Sequence, residues 1–408
     1  MNIDNIKQSI LNIGTLGHID HGKTSITKAI TNQWTDKHSE SIKRNMTIKL
    51  GYADSIINKC DDCIGPEAYT INEKCGCNKI AKPLLKISIL DAPGHETLMA
   101  TAIAGSNVID AILFIIAANE PCPMQQTKEH LMIINILGIK NIIIIQTKID
   151  LVGKDKAIKH YNQIKDFIKG SVIEDAPIVP VMTNQNINID VLLEKIANFK
   201  IPERDLKSDP IMYVVRSFDV NKPGAKIETL SGGVIGCAIT KGIFNVGDEI
   251  EISPGIKIET KKEKNKITYK PIITKIVHMY SGNISLEKAQ PGGLIGIATQ
   301  VDPTFTKADN LVGNIVGHPN KIPALVDEIN IKFFKINRSD IPYSIFKENE
   351  ALILGVGTAT LIGYVKNIKK DTVNITLKHS ACIEKSSKIA VMRNILQRWR
   401  LVGYGLLI

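Results

Sequence analysis

The sequence predicts a doubly wound α/β domain with a mostly parallel sheet, followed by two β-barrel domains. Three observations carry that expectation. Short apolar runs alternate with amphipathic stretches over residues 1–200. A glycine-rich loop, "GHIDHGKT", stands between the first apolar run and the first amphipathic stretch. Beyond it all, from the segment "MYVVRSFDV" onward, helical periodicity gives way to β-branched runs punctuated by glycine.

In chain order, "ILNIGTLG", "LLKISILDAPG", "DAILFIIAANE", "KNIIIIQTKID" and "APIVPVM" read as largely buried strands. "KTSITKAITNQ", "QQTKEHLMIINILG", "AIKHYNQIKDFIKG" and "NIDVLLEKIANF" read as the helices between or after them. The polar "KIPERDLKSDP", with two prolines, reads as a linker and places the first domain at 1–204. "GGVIGCAITKGIFNVGDEIEIS", "YKPIITKIVHMYSG" and "GGLIGIATQVD" suit a small antiparallel barrel over 205–320. "GNIVGHPNKIP" reads as a second junction, and the strands and turns of 321–408 as the last barrel. The basic run 257–270, "KIETKKEKNKITYK", reads as a solvated hairpin.

Bulk properties narrow the function. No basic region followed by an apolar core opens the chain, and runs such as "AILFIIAA" are too short to cross a bilayer. Seven cysteines, an odd number, argue against a disulfide framework and for a reducing cytoplasm. With 51 Lys plus Arg against 41 Asp plus Glu, the net charge is +10. That charge suits a polyanion such as RNA. A compositional bias toward Lys, Ile and Asn accounts for it equally well.

The loop Gly17–Thr24 fits G-x-x-x-x-G-K-[ST] in the strand–loop–helix setting which that pattern requires. Its backbone N–H groups wrap phosphates near a helix N-terminus. Lys23 would reach the β- and γ-phosphates and Thr24 would ligate Mg²⁺. "DAPGH" follows another strand, and Asp91 stands where the second contact to Mg²⁺ belongs. Gly94 offers an N–H for a γ-phosphate and a backbone free to flip. "TKID" ends a third strand. A carboxylate at Asp150 accepts from guanine N1–H and its amine, so it selects GTP over ATP. The Lys148 stem can lie along the base.

With two β domains behind them, these motifs resemble the translational GTPases related to elongation factor Tu. Within that group the chain is most similar to the gamma subunits of eukaryotic and archaeal translation initiation factor 2. "MTIKLGYAD", "ANEPCPMQQTKEHL", "VVRSFDVNKPG", "LSGGVIG", "PGGLIGIATQVDPTFTKADNLVGNIVG" and "RWRLVGYG" carry the likeness along nearly the whole chain. The resemblance implies that Thr47 is a switch threonine binding Mg²⁺ and that His95 orients the attacking water. It makes Ile19 and Met46 an apolar gate beside that water. Asp20, His21, Gly22 and Ser25 complete the phosphate-loop contacts, though no chemistry is assigned to the His18 and His21 side chains. It further implies GTP-dependent delivery of methionylated initiator tRNA to the small ribosomal subunit, as part of a heterotrimer with alpha and beta subunits. GTPase-activating and nucleotide-exchange factors would be further partners, in the cytoplasm and away from membranes. Tyr52 and Arg216 are candidates near the tRNA end. An elongation-type or selenocysteine-specific carrier remains the alternative.

Three departures bear on nucleotide affinity, and one is "RNMT", which replaces the glycine that elongation factors put before the switch threonine. Thr147 replaces the usual Asn of the guanine motif, where its hydroxyl can still bond the phosphate loop. Met182-Thr183-Asn184 replaces the usual Ser-Ala base loop, leaving the Thr183 N–H for guanine O6. Cys60, Cys63, Cys75 and Cys77 form a C-x₂-C-x₁₁-C-x-C cluster, inside an insertion at about 58–80. Four thiolates suit one structural Zn²⁺, the second pair being one residue short of the ordinary spacing. Free or redox-active thiols are the alternative. Cys122, Cys237 and Cys382 are expected to be plain buried thiols.

Overall fold

Strands that are apolar on both faces form the centre of the first unit, because helices cover both sides of a parallel sheet. The structure, a computed structural model, describes residues 7–34, 51–91, 108–222, 224, 226, 230–259, 267–336, 346–385 and 387–408. Met46, Thr47, Gly94 and His95, all given roles above, lie outside the described residues. Contacts divide the chain into two compact units between Glu203 and Arg204.

The first unit contains β1 (Leu11–Gly17), β2 (Gly51–Lys59), β3 (Tyr69–Thr70), β4 (Lys82–Asp91), β5 (Ala111–Ala117), β6 (Asn141–Thr147) and β7 (Ile178–Pro180). Its helices are α1 (Lys23–Thr31), α2 (Gln125–Leu137), α3 (Lys154–Ile168) and α4 (Ile189–Ala197). The sheet order is β3-β2-β4-β1-β5-β6-β7. Strands β4, β1, β5, β6 and β7 run parallel, while β2 is antiparallel to β4 and to β3. Leu11, Ile13, Ile87, Ile89, Leu113 and Ile115 face one core, which Ile26 and Ile30 of α1 and Leu192, Leu193 and Ile196 of α4 complete. The alternate residues face the other helices. Phe114 lies against His130 of α2, and Gln146 donates to the Ala157 carbonyl of α3 at 2.9 Å. Doubly wound sheets bind ligands beyond the carboxyl ends of their strands. Gly17, Asp91 and Thr147 all occupy such ends.

The second unit opens with β8 (Ile211–Phe218), β9 (Val234–Lys241), β10 (Phe244–Asn245), β11 (Glu249–Glu259), β12 (Ile267–Ser281), β13 (Ile284–Leu286), β14 (Lys288–Ala289), β15 (Leu294–Thr299) and β16 (Ile315–Gly317). The ring β11-β16-β8-β9-β15-β12 closes through pairing of β11 with β12. Residues 315–317, read from sequence as part of a junction, are thus a barrel strand; three residues are too few to register as one in a Gly- and Pro-flanked segment. Of the basic run, 257–259 and 267–270 pair at the far ends of β11 and β12, as far as Glu259↔Ile267, with Lys257 exposed, and 260–266 lie outside the described residues. The other barrel comprises β17 (Leu325–Lys335), β18 (Ala351–Val356), β19 (Ala359–Lys369), β20 (Thr372–Cys382), β21 (Lys388–Ile395) and β22 (Arg398–Leu407), closed in the order β17-β20-β19-β18-β21-β22.

A small buried cluster of Ile211, Tyr213, Ile315 and Cys382 joins these two barrels. The Tyr213 hydroxyl donates to Glu384 at 2.6 Å, and Glu384 also meets Lys241 at 2.9 Å. Tyr213 is 2% exposed, so its hydroxyl depends on that carboxylate. Tyr213→Phe should cost about 1–2 kcal/mol. Urea unfolding of the full chain checks this: the second unit's midpoint should fall while the slope holds.

Candidate nucleotide-binding site

The phosphate loop owes its shape to residues that accept a left-handed backbone. Asp20 has φ 62° and Gly22, capping α1, has φ 89°. At Gly22 a side chain would be strained by that φ alone. Lys23, 7% exposed, donates to the carbonyls of Gly17 at 3.0 Å and His18 at 2.9 Å. Burial pulls its pKa down to about 8, against smaller opposing pulls from Asp91 and Asp20. His21 is turned inward. Its Nδ1 lies 3.1 Å from the Ile115 carbonyl and its Nε2 3.0 Å from Glu120, while burial, the largest influence, lowers its pKa. His21 therefore faces the site through its backbone. Ser25 is half-buried on the first turn of α1.

Asp91, fully buried, ends β4 directly opposite Thr15 of β1. Its two oxygens accept from Thr15 and from Thr24, each at 2.9 Å. The structure thus brings together Thr24 and Asp91, two of the three residues assigned to Mg²⁺. Both offer oxygen, the donor type a hard divalent cation takes.

At the base end, the Thr147 hydroxyl donates to the His21 carbonyl at 2.7 Å, tying "TKID" to the phosphate loop. Lys148 has φ 55°, a left-handed turn, and Asp150 is exposed on the following short helix Ile149–Leu151. Met182 exchanges backbone hydrogen bonds with Ile187, at 3.3 and 3.1 Å. That closes a small loop in which Thr183 is half-buried and Asn184 exposed.

The four cysteines of the insertion converge. Their sulfurs all lie within 4.8 Å of one another, with Cys60–Cys77 at 3.7 Å and Cys63–Cys75 at 3.4 Å. A tetrahedral Zn–S site with bonds near 2.3 Å has edges of about 3.8 Å, so the cluster fits a zinc knuckle. The backbone N–H of Lys79, the largest influence on Cys77, helps lower its thiol pKa, while the neighbouring sulfurs, Cys77 first, raise that of Cys63. Cys237 and Cys382 are buried as expected. Cys122 is only half-buried, because it sits in the turn between β5 and α2 rather than in a strand.

The two candidates near the tRNA end are both engaged. Tyr52 is largely buried on β2, its hydroxyl bonded with Asp54 and Ser88, and burial raises its pKa. Arg216 pairs with Asp309 at 2.9 Å and keeps 38% of its side chain exposed. Arg216 also begins a cross-strand row that sequence reasoning missed. Gly236, Gly296 and Tyr280 lie in register beside it across four strands. Tyr280 is 40% exposed, so the row is a cation and an aromatic ring flanking a glycine floor. The alternate glycines of "GGVIG" and "GGLIG" were its only signal.

Residues 8–202 match the family described as "Elongation factor Tu GTP binding domain", and residues 332–407 match "Initiation factor eIF2 gamma, C terminal". Translation initiation factor 2 subunit gamma of Methanococcus maripaludis is 48% identical over 408 residues, covering 98% of this chain and 99% of that protein. The protein of the same name from Methanocaldococcus jannaschii is 48% identical, covering 98% and 97%. That of Archaeoglobus fulgidus is 44% identical, covering 97% and 94%. Among solved structures, bacterial selenocysteine-specific elongation factor EF-Sec superposes with TM-score 0.73 at 22% identity, covering 98% of this chain and 58% of that one. Elongation factor SelB of Methanococcus maripaludis gives 0.71 at 21% identity, covering 99% and 79%. At that identity these likenesses speak to fold alone.

Proposed function

This chain belongs to the translation initiation factor 2 gamma family, and we propose that it carries methionylated initiator tRNA to the small ribosomal subunit in a GTP-dependent manner. Membership makes it a GTPase. The observation that supports the reading best is one connected site. Lys23 and the Thr24–Asp91 pair stand at the phosphate end, and Thr147 joins the base motif to the same loop.

In this reading Thr24, Asp91 and Thr47 hold Mg²⁺, which supplies charge compensation at the phosphates. Lys23 and the backbone of Asp20, His21, Gly22 and Ser25 bind the phosphates. Lys148, Asp150 and the Met182–Asn184 loop hold guanine. His95 orients water and Gly94 senses the γ-phosphate. The Arg216–Gly236–Gly296–Tyr280 row is a surface for the tRNA end, since a guanidinium pairs with phosphate and an exposed ring stacks on a base. Zinc in the four-cysteine knuckle is structural. The chain acts in the cytoplasm with alpha and beta subunits; among the described residues no helix is long and apolar enough to cross a membrane. Three domains, 1–204, 205–320 and 321–408, are supported by three separate apolar cores.

The test is binding of methionylated initiator tRNA and of an elongator aminoacyl-tRNA, each with a GTP analogue and with GDP. Retention of the initiator alone, and more tightly with the analogue, is expected. Equal retention of both tRNAs would transfer the chain to the elongation-type carriers. No retention even with alpha and beta subunits present would end the carrier reading.

A further inference from the structure

Guanine presents two chemically opposite edges. Its N1–H and amine are donors, which suit the acceptor oxygens of Asp150. Its N7 and O6 are acceptors. Reading O6 and N7 therefore requires donors from the protein. The Thr183 N–H is assigned to O6 and the Lys148 stem to the face of the base, which leaves the side chain of residue 147 as the base-motif donor available to the N7 edge.

Thr147 has no proton left for that purpose. A threonine hydroxyl carries one hydrogen and otherwise only lone pairs. In the structure that hydrogen is directed at the His21 carbonyl, 2.7 Å away. The side chain is 3% exposed and packed beneath the phosphate loop. A Cβ placed on Gly22 would meet its Oγ1 at 3.9 Å and its Cβ and Cγ2 at 4.0 Å. What Thr147 can still show a purine is a lone pair or a methyl group, and N7 accepts neither as a partner.

We infer that this chain does not read guanine N7 through residue 147, whose hydroxyl proton is committed to holding the base turn against the phosphate loop. The inference rests on the GTP reading of the site. Its consequence is chemical: nucleotides with C–H in place of N7 are accepted as well as the natural ones. It also predicts what the family's usual asparagine adds. A carboxamide has two N–H donors, one for the His21 carbonyl and one for N7.

The experiment is competitive displacement of a fluorescent GDP from the full-length chain by GDP and by 7-deaza-GDP. The wild type should bind both within about twofold, and Thr147→Asn should favour GDP over its 7-deaza form by roughly five- to tenfold, one hydrogen bond's worth. Thr147→Val serves as second variant. It loses the link to His21, so both nucleotides should weaken together and their ratio stay near one. Fivefold or greater discrimination by the wild type overturns the inference, as does a ratio unchanged in Thr147→Asn. A wild type that binds neither nucleotide instead sinks the guanine-nucleotide reading itself.

Discussion

Cys60→Ser is expected to empty the knuckle of zinc and unravel its tips while leaving the GTP-binding domain folded. The insertion's own core is Cys60, Cys75 and Ala81 with Cys63 against them, so without metal the sulfurs have little else to pack on. Structural zinc binding contributes roughly 10–16 kcal/mol in isolated fingers, far more than two exposed ion pairs such as Asp61–Lys82 and Asp62–Lys79 supply. The centre of the insertion is held differently. Tyr69 and Ile71 pack against the main core and should stay in place. Metal analysis should therefore fall from about one zinc per chain to near none, and trypsin should cut faster at the exposed Lys74 and Lys79. The thermal midpoint of the domain should move by no more than roughly 4 °C, the shift that about 1 kcal/mol produces. A wild type that purifies without zinc and resists trypsin as well as the variant does would falsify the zinc assignment.

What the sequence made legible depended on whether the signal was local. The parallel strands were readable because β1, β5 and β6 are buried on both faces and leave continuous apolar runs. The phosphate loop and the guanine motif were readable because each is a few consecutive residues at a strand end. The threonine departure from the guanine motif raised the expectation of a bond to the phosphate loop, and Thr147 makes that bond to His21. Contacts between distant segments were not readable. The Arg216–Gly236–Gly296–Tyr280 row exists only through strand register, which the Val214/Arg216 and Ile276/His278 irregularities help to set. Likewise, Tyr52 looked available beside a switch segment, yet the pairing Asp54↔Ser88 supplies the partners that hold its hydroxyl. The Tyr213–Glu384 bond spans 171 residues and has no counterpart in any local pattern.

Lys23→Ala should weaken GDP binding by roughly a hundredfold, since it removes hydrogen bonds from a charged donor at the phosphates. The pH profile separates that charge from simple packing. Burial holds the Lys23 pKa at about 8 in the protein without nucleotide. Phosphates beside the ammonium favour its charged form, so binding raises the pKa and takes up a proton. The sign follows: affinity is full below pH 8, where Lys23 is already charged, and declines above it. Between pH 7 and 9 the dissociation constant should rise about tenfold, the change in charged fraction of a group titrating at 8. Measuring GDP binding in EDTA keeps Mg²⁺ out of the comparison. Lys23→Arg is the control, because a guanidinium stays protonated across the range while sharing any ionisation of the nucleotide itself. Parallel profiles for wild type and Lys23→Arg would mean that the ammonium is not titrating there, and that its burial at the loop carbonyls leaves its charge intact.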